Sequence, residues 1–323
     1  MTSEISSRIS AANHLLHAAS RVLRRKPFEP RIRKARKALV RAPAEQPVEN
    51  LAYLVHRAPN FGDAERICLF VTFSDFGFVW PHVANYCRQV RSAGYFVFLL
   101  VASGRGDLRF VDPGPDVADA VLVRENHGYD FSAWAHALRL YPELWNTSFL
   151  LLANDSVYGP FGDISGILRR AEECDADLVG LTECNAINYH LQSYFLLLKR
   201  PALSSDHVKQ FWDQVQSLDD KFKVILQYEL NFSKYLQDGG LTIRPLFKLE
   251  DRPPEDAVTT ALFWKELILI GFPFLKVELL RDNISKVDMS GWAKVVSGRG
   301  YDIEDIFFHL GAVKPDAPGL FVS

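Results

Sequence analysis

The chain has 323 residues, of which 48% are hydrophobic and 24% are charged, a composition typical of globular proteins. Its four cysteines show no CxxC spacing, which argues against a zinc site or a disulfide framework and favours a reduced compartment. The sequence contains neither a run of 18 apolar residues nor the apolar core of a signal peptide. We therefore expect a cytoplasmic protein without a membrane span.

The first 50 residues are strongly basic. They carry eleven lysines and arginines against four acidic residues, a net charge of +7, while the remainder carries −9. Ten of these cations lie in residues 21–42. One interpretation is a solvated arm, helical in part or disordered. A second is a surface for anionic lipid, where each cation contributes on the order of 1 kcal/mol. Nucleic-acid binding is the least favoured interpretation, because the rest of the chain is acidic and does not extend the basic surface.

A weak helical pattern covers residues 2–20, and prolines then indicate a linker, so that the folded body is predicted to begin near Leu51. From Glu65 onward, apolar runs of strand length alternate with helical segments. Strands are predicted over 66–73, 95–103, 120–126, 148–154, 177–183 and 190–200, and helices over 80–94, 130–144, 164–176, 206–218 and 223–240. This order predicts an α/β fold with a mostly parallel open sheet flanked by helices. Such sheets bind ligands at the carboxyl ends of their strands.

The segment SFLLLANDSVYGPFGDI, residues 148–164, is the most informative. An apolar strand ends there in Asn154, Asp155 and Ser156, and Gly159 and Pro160 then turn the chain. Short oxygen-bearing side chains suit a hard cation such as Mg²⁺, which in turn binds phosphates. The alternative is a strand that ends in an Asx turn. This segment alone does not decide between the two.

The segment NHGYDFSAW, residues 126–134, follows one strand and opens a helix. Gly128 would let the backbone approach a ligand, and free amides at a helix N-terminus favour an anion such as phosphate. Asn126 and Asp130 offer acceptors for a ribose or a base, and Asp130 is also predicted to be the N-cap of the helix. The alternative is a capped strand-to-helix turn without a ligand.

Two further segments offer ligand-binding side chains. In HLQSYF, the two-residue period of a strand puts His190, Gln192 and Tyr194 on one face, where they could bind a sugar or form a polar solvent face. In the segment 268–283, Lys276 and Arg281 follow an apolar stretch and could neutralise a diphosphate. For either residue taken alone, an ordinary surface cation is the favoured interpretation.

Glu229 is predicted to lie at the start of a short helix, after an apolar pair. A carboxylate there usually makes only a favourable interaction with the helix dipole.

Six segments in this order resemble the rhamnan synthesis protein F family of bacterial glycosyltransferases: NHGYDFSAW, LLLANDSVYGP, DLVGLTE, HLQSYFLLLKR, YELNFSKYL and PFLKVELLRDN. The resemblance extends roughly from Ile67 to Asn283. It implies a GT-A-like glycosyltransferase domain over residues 61–285. A basic helical extension with a linker (1–60) would precede it, and a C-terminal tail (286–323) would pack on it.

The resemblance implies roles for single residues. The Asn154 to Ser156 position is where GT-A enzymes carry an Asp-x-Asp that holds a divalent metal. Only Asp155 is a carboxylate here, which leaves dependence on Mg or Mn open. Glu229 falls where many inverting enzymes carry the catalytic base. Asp75 and Asp130 are the alternative candidates for this base.

The donor nucleotide is assigned to three other places. Thr72, Phe73 and Ser74 match the strand end that usually touches the base, and Asn126 with Gly128 resembles the Asn-x-Gly turn that faces the nucleotide. Asp130 would add a contact to the nucleotide.

These assignments predict transfer of a sugar to a growing surface polysaccharide or O-antigen, with inversion. The family implies dTDP- or GDP-rhamnose as donor and a lipid-linked saccharide acceptor at the inner face of the cytoplasmic membrane. The alternative is a non-catalytic module that binds a nucleotide or glycan, or serves as a scaffold, which the degenerate Asp-x-Asp favours. The chain lacks the glycine fingerprints of Rossmann oxidoreductases and P-loop enzymes.

Overall fold

The computed structural model describes residues 45–185, 188–249 and 259–321. The predicted helix over 2–20 and the basic segment 21–42 lie outside the described residues. In the described residues, no helix combines the length and the apolar character needed to cross a membrane.

The strands are β1 Glu45–Gln46, β2 Tyr53–Arg57, β3 Arg66–Ser74, β4 Phe96–Ser103, β5 Ala120–Glu125, β6 Phe149–Asn154, β7 Val157–Tyr158, β8 Leu178–Gly180, β9 Glu183–Cys184, β10 His190–Leu191, β11 Phe195–Lys199, β12 Ser217–Leu218, β13 Ile243–Pro245 and β14 Leu275–Lys276. The α-helices are α1 Pro81–Ser92, α2 Tyr129–Leu140, α3 Ser165–Glu173, α4 Arg200–Ser204, α5 Asp206–Asp213, α6 Lys221–Val224, α7 Leu230–Asp238, α8 Thr259–Leu262, α9 Trp264–Leu269, α10 Val277–Arg281, α11 Trp292–Ser297 and α12 Glu304–Val313. Short 3₁₀ turns cover Val48–Asn50, Pro142–Asn146 and Pro318–Leu320, and a π turn covers Ile225–Glu229.

Within the described residues, eight strands form the main sheet, in the order β13-β8-β11-β6-β3-β4-β5-β2. Strands β6, β3, β4 and β5 are parallel to one another, and β13 is parallel to β8. β11 runs antiparallel to both neighbours, and the edge strand β2 runs antiparallel to β5. Six of these eight strands therefore point the same way. An α/β fold with a large, mostly parallel sheet flanked by helices is confirmed.

Both faces of the sheet are covered. Alternate residues of β3 show this, because Phe70 packs in a cluster with α1 and α3, while Leu69 packs in a second cluster with α2, α5 and α7. Strands buried on both faces need apolar residues at every position. This is why the continuous apolar runs of the sequence predicted β3, β4 and β6 correctly.

The C-terminal helices complete a third apolar cluster. Trp292 of α11 and Leu310 of α12 pack with Tyr158 of β7, Ile268 of α9 and Leu280 of α10. The predicted tail, 286–323, thus shares a core with elements that precede it. At the other end, β2 pairs with β5 of the main sheet, and β1 pairs with β12 in a separate two-stranded sheet. Residues before the predicted domain start at residue 61 therefore also belong to the fold.

Four predicted elements differ from the structure. The helix predicted over 206–218 ends at Asp213, and Ser217–Leu218 form strand β12. The strand over 190–200 is broken at Gln192 to Tyr194, because the Ser193 backbone N–H donates to Glu229 and not to a strand partner. Helix α2 begins at Tyr129 with Gly128 as N-cap, so the prediction of Asp130 as N-cap was wrong. The helix over 223–240 begins earlier, at Lys221, with Asp220 as N-cap.

Candidate active site

The carboxyl ends of the central strands place Asp155 at one edge of the sheet. The parallel register sets Asn154 beside Val71 of β3, and Asp155 follows directly. Its Oδ2 accepts hydrogen bonds from Thr72 Oγ1 (2.7 Å) and from the Phe73 backbone N–H (2.8 Å). Burial raises the pKa of Asp155, although these two hydrogen bonds oppose the shift. These two hydrogen bonds from the end of β3 thus fix the orientation of the Asp155 carboxylate.

Asn154 is buried and uses both ends of its amide. Its Oδ1 accepts from Ser156 N (3.1 Å) and from Ser156 Oγ (2.6 Å), which is the Asx turn that one interpretation of the sequence predicted. Its Nδ2 donates to Asp130 Oδ2 at 2.8 Å. The amide therefore links the end of β6 to the first turn of α2.

Asp130 lies at the centre of the charged groups. Burial, together with the charges of Asp155 and Glu229, raises its pKa to about 7, although Lys221 and the hydrogen bond from Asn154 act in the opposite direction. Lys221 also lowers the pKa of Asp155. We call Asp130, Asp155 and Glu229 the acidic cluster. All three are half-buried, and Lys221 is exposed beside them.

Glu229 directly precedes α7 as its N-cap, but it is not at the free start of a helix as predicted. It closes the π turn inside a continuous helical segment over residues 221–238. Its Oε1 accepts from the Ser193 backbone N–H (3.2 Å) and from Ser193 Oγ (3.1 Å). A helix dipole therefore does not account for this carboxylate. π turns inside α-helices occur frequently at functional sites.

Gly128 is required by packing within the protein. Its φ is +84°, and a Cβ there would lie 2.4 Å from both Ser132 Cβ and Ser217 Oγ. Arg124 Nη2 holds the same loop by donating to the His127 carbonyl (2.8 Å) and to Ser132 Oγ (3.0 Å). The space above this glycine is therefore filled by serines, whereas the sequence suggested that a ligand would approach there.

The remaining donor-site predictions are spread along the same edge. Asn126 is exposed, with its backbone N–H donating to the Ser103 carbonyl. The Phe73 side chain is 40% exposed. Ser74 Oγ is occupied within its own turn, accepting from Gly77 N (3.0 Å) and Phe78 N (3.1 Å).

The two predicted phosphate-binding cations lie in different surroundings. Lys276 pairs with Val157 in the β14–β7 ladder, and its Nζ lies 5.7 Å from the centroid of the Tyr194 ring. It is therefore next to the turn that follows β6. Arg281 donates from Nε to Asp282 Oδ2 (2.7 Å) and lies near His309 of the C-terminal cluster. Lys276 is therefore beside the Asn154 turn, whereas Arg281 lies near Tyr158 and His309.

The predicted sugar-binding side chains are buried. His190, Gln192 and Tyr194 are at most 4% exposed. Gln192 Oε1 accepts from Thr182 and Thr260, Tyr194 OH contacts Thr182, and His190 Nδ1 contacts the Asn188 carbonyl. One polar atom of each side chain thus already has a partner in the protein, and these contacts give the sugar-binding prediction no support.

The acidic cluster does not fit a metal held by protein side chains alone. Across residues 45–185, 188–249 and 259–321, no group of three or more His, Cys, Asp or Glu could hold a metal ion. Of the Asn154 to Ser156 triplet, Asn154 Oδ1 is used in the Asx turn and Asp155 Oδ2 accepts from Thr72 and Phe73. We therefore derive no catalytic step through a metal.

Two residues of the site were missed from the sequence. Ser193 was assigned to the face opposite the sugar-binding side chains, with no role. Lys221 was not considered, although Asp220 before it caps the helix by accepting from Phe222 N (2.8 Å) and Lys223 N (3.1 Å). An Asp followed by a helical pattern is a recognised start signal, so the sequence did contain a clue to the helix that carries Lys221.

Residues 107–321 match the family described as rhamnan synthesis protein F. The chain belongs to this family. The match begins after Ile67, where the resemblance was expected to start, but it contains all six segments that suggested the family and continues beyond Asn283 through the C-terminal helices. Membership in this family supports a glycosyltransferase role.

Relatives and solved structures were also compared with this chain. Virulence protein VirA of Vibrio anguillarum is 27% identical over 257 residues, which cover 69% of this chain and 82% of VirA. A putative glucose-1-phosphate thymidylyltransferase from Bacillus anthracis is 11% identical, with a TM-score of 0.32 over 56% of this chain and 87% of its own. Glycosyltransferase GlyE of Streptococcus pneumoniae TIGR4 is 13% identical, with a TM-score of 0.31 over 72% of this chain and 62% of its own. Similarities of structure at this level establish no shared fold.

Proposed function

We propose that this family member transfers a sugar from a nucleotide-sugar donor to a saccharide acceptor, with inversion at the anomeric carbon. The observation that carries this proposal is the acidic cluster with Lys221 beside it, at the carboxyl ends of parallel strands. Ligand sites of open α/β sheets lie at this edge. Rhamnose, as dTDP- or GDP-rhamnose, is the donor sugar proposed from the family, and a lipid-linked saccharide is the proposed acceptor.

In the proposed mechanism, Glu229 is the base. Ser193 fixes Oε1 through two hydrogen bonds, and Oε2 takes the proton of the acceptor hydroxyl. The acceptor oxygen then bonds to the anomeric carbon as the bond from that carbon to the diphosphate breaks. A positioned base of this kind contributes typically about 10²–10⁴-fold to a rate.

Negative charge grows on the leaving diphosphate as this bond breaks. Lys221 lies beside the acidic cluster and Lys276 next to the Asn154 turn, so both are proposed to stabilise that charge. Asp130 and Asp155 are assigned to hydroxyl groups of the donor, since their carboxylates are held in place by Asn154 and by the end of β3.

The decisive experiment measures release of nucleoside diphosphate from dTDP-rhamnose and GDP-rhamnose, with Mg²⁺ and with EDTA. We expect release from one of the two, and we expect it to persist in EDTA because Lys221 and Lys276 are proposed to stabilise the charge on the leaving diphosphate. Loss of release in EDTA would instead support a divalent metal at Asp155. Nucleotide binding without any release would favour the non-catalytic module, for which the occupied Asn154 side chain is the supporting observation.

The basic segment 21–42 is proposed to bind the anionic surface of the membrane that carries the acceptor. Its ten cations, at on the order of 1 kcal/mol each, would suffice for docking at low salt, but their effect is screened within a Debye length of about 8–10 Å.

Co-sedimentation with anionic vesicles tests this docking. A chain that lacks residues 1–42 keeps the buried Val48 and strand β1. We expect it to lose vesicle binding, and we expect the full chain to lose binding at high salt. Equal sedimentation of the two chains, or equal binding to neutral vesicles, would contradict the proposal.

A further inference from the structure

Four aromatic side chains form a partly exposed surface that the proposed mechanism does not use. We call Phe76, Phe78, Trp80 and Phe308 the aromatic patch. The Trp80 ring lies 5.2 Å from Phe76, 4.9 Å from Phe78 and 5.7 Å from Phe308, centroid to centroid. Phe76 is 50% exposed and Phe308 is 57% exposed. Solvent-exposed aromatic surface next to a polar site is typical of a binding surface.

The aromatic patch lies beside the acidic cluster. Phe76 follows Phe73 by three residues, and the Phe73 N–H donates to Asp155. Three residues span at most about 11 Å even when fully extended. The chain is not extended here, because Ser74 Oγ bonds to Gly77 N and Phe78 N and closes a turn. The patch therefore begins at the rim of the candidate active site.

Charged groups of both signs lie near the patch. The Arg105 side chain and the Arg109 backbone carbonyl lie next to Gly77, and both guanidinium groups pair with Asp107, at 3.2 and 3.4 Å. Asp75 adds a second carboxylate, which lies over Gly104 at the end of β4. This surface thus offers aromatic faces with guanidinium and carboxylate groups at the edge.

A sugar ring presents an apolar C–H face and a rim of hydroxyl groups, which match aromatic faces bordered by guanidinium and carboxylate groups. We propose that the aromatic patch binds the saccharide acceptor, stacking sugar rings of the growing chain on Phe76 and Phe308. This inference rests on the proposed function and names its acceptor-binding surface. It replaces the assignment to His190, Gln192 and Tyr194, whose side chains are buried.

The inference also gives the C-terminal helices a role. Phe308 lies on α12, whereas the other three aromatic residues precede or begin α1. The acceptor surface is therefore built from two parts of the chain that are more than 200 residues apart in sequence. This predicts that helix α12 affects binding of the acceptor and leaves use of the donor unchanged.

The test uses Phe76→Ala, Phe308→Ala and the conservative Phe76→Trp in the full chain. Phe321→Ala is the matched control, since Phe321 is 75% exposed and lies outside the patch. The first readout is the Kd for a short rhamnan oligosaccharide, measured by calorimetry. The second is release of nucleoside diphosphate from the donor alone, which reports the proposed function separately.

We expect each alanine variant to weaken oligosaccharide binding about fivefold, from the loss of one stacking contact, with Phe76→Trp and Phe321→Ala within about twofold of wild type. Donor turnover without acceptor should not change in any variant. The inference is overturned if wild type does not bind the oligosaccharide, or if both alanine variants bind it as the control does. It is also overturned if the alanine variants lose binding to anionic vesicles while oligosaccharide binding is kept. If the variants lose oligosaccharide binding but no donor is ever turned over, the proposed function is refuted and the inference about the acceptor surface stands.

Discussion

Replacing Glu229 with glutamine is expected to lower the rate of sugar transfer by roughly 10²–10⁴-fold, the usual contribution of a positioned base. A glutamine oxygen can still accept the two hydrogen bonds from Ser193, so the shape of the site should be kept. What is lost is basicity, because an amide cannot take the proton of the acceptor hydroxyl. The measurements are turnover with donor and acceptor, and the Kd of the nucleoside diphosphate, which should remain within about threefold of wild type.

Ser193→Ala is the matched control for this experiment. It removes the hydroxyl that holds Glu229 Oε1 but keeps both the carboxylate and the backbone N–H bond. We expect a loss of about tenfold or less, since the base is still present and only its orientation is loosened. Turnover of Glu229→Gln within about tenfold of wild type would show that another group is the base, with Asp130 and Asp75 the next to test.

The sheet was predictable because its central strands are buried on both faces. Continuous apolar runs located β3, β4 and β6, and the sharp change to polar residues after Leu152 and Ala153 marked the edge of the sheet that carries Asp155. The same rule placed Thr72 and Phe73 at that edge. Local hydrophobic pattern is sufficient wherever the surroundings of a strand are uniform.

The orientation of single side chains was not predictable in this way. Ser193 and Gln192 are neighbours in a segment that looks like one strand, but the Ser193 N–H binds a helix 36 residues further along the chain and breaks it. Gly128 likewise suggested an open approach for a ligand, whereas Ser217 occupies that space. Both features depend on packing between segments that are distant in the sequence. Local periodicity contains no information about such packing.

The Asp130 carboxyl should make the stability of the protein depend on pH. Burial raises its pKa from about 3.8 to about 7 in the folded state. Between about pH 4 and pH 7, the unfolded chain is therefore ionised at this group while the folded chain keeps the proton. The unfolded state then binds fewer protons, so the free energy of unfolding falls as the pH rises through this range and levels off above it.

Asp130→Asn removes this titration and keeps the shape of the side chain, whose oxygen can still accept from Asn154 Nδ2. We expect the variant to match wild type near pH 4 and to exceed its free energy of unfolding by on the order of 1–4 kcal/mol at pH 8. Urea unfolding at pH 4, 6 and 8 measures the difference. The control is Asp116→Asn, an exposed carboxylate paired with Arg88, for which we expect little change at any pH.

The same variant separates stability from function. If Asp130 binds a hydroxyl group of the donor, Asp130→Asn should raise KM for the nucleotide-sugar and also make the protein more stable. Both effects are expected because residues kept for binding or catalysis often lower the stability of the fold. A variant that is more stable at pH 8 and has unchanged KM would place Asp130 outside the donor site. A variant no more stable than wild type at pH 8 would show that the carboxyl is ionised in the folded protein at little cost, with Lys221 balancing its charge.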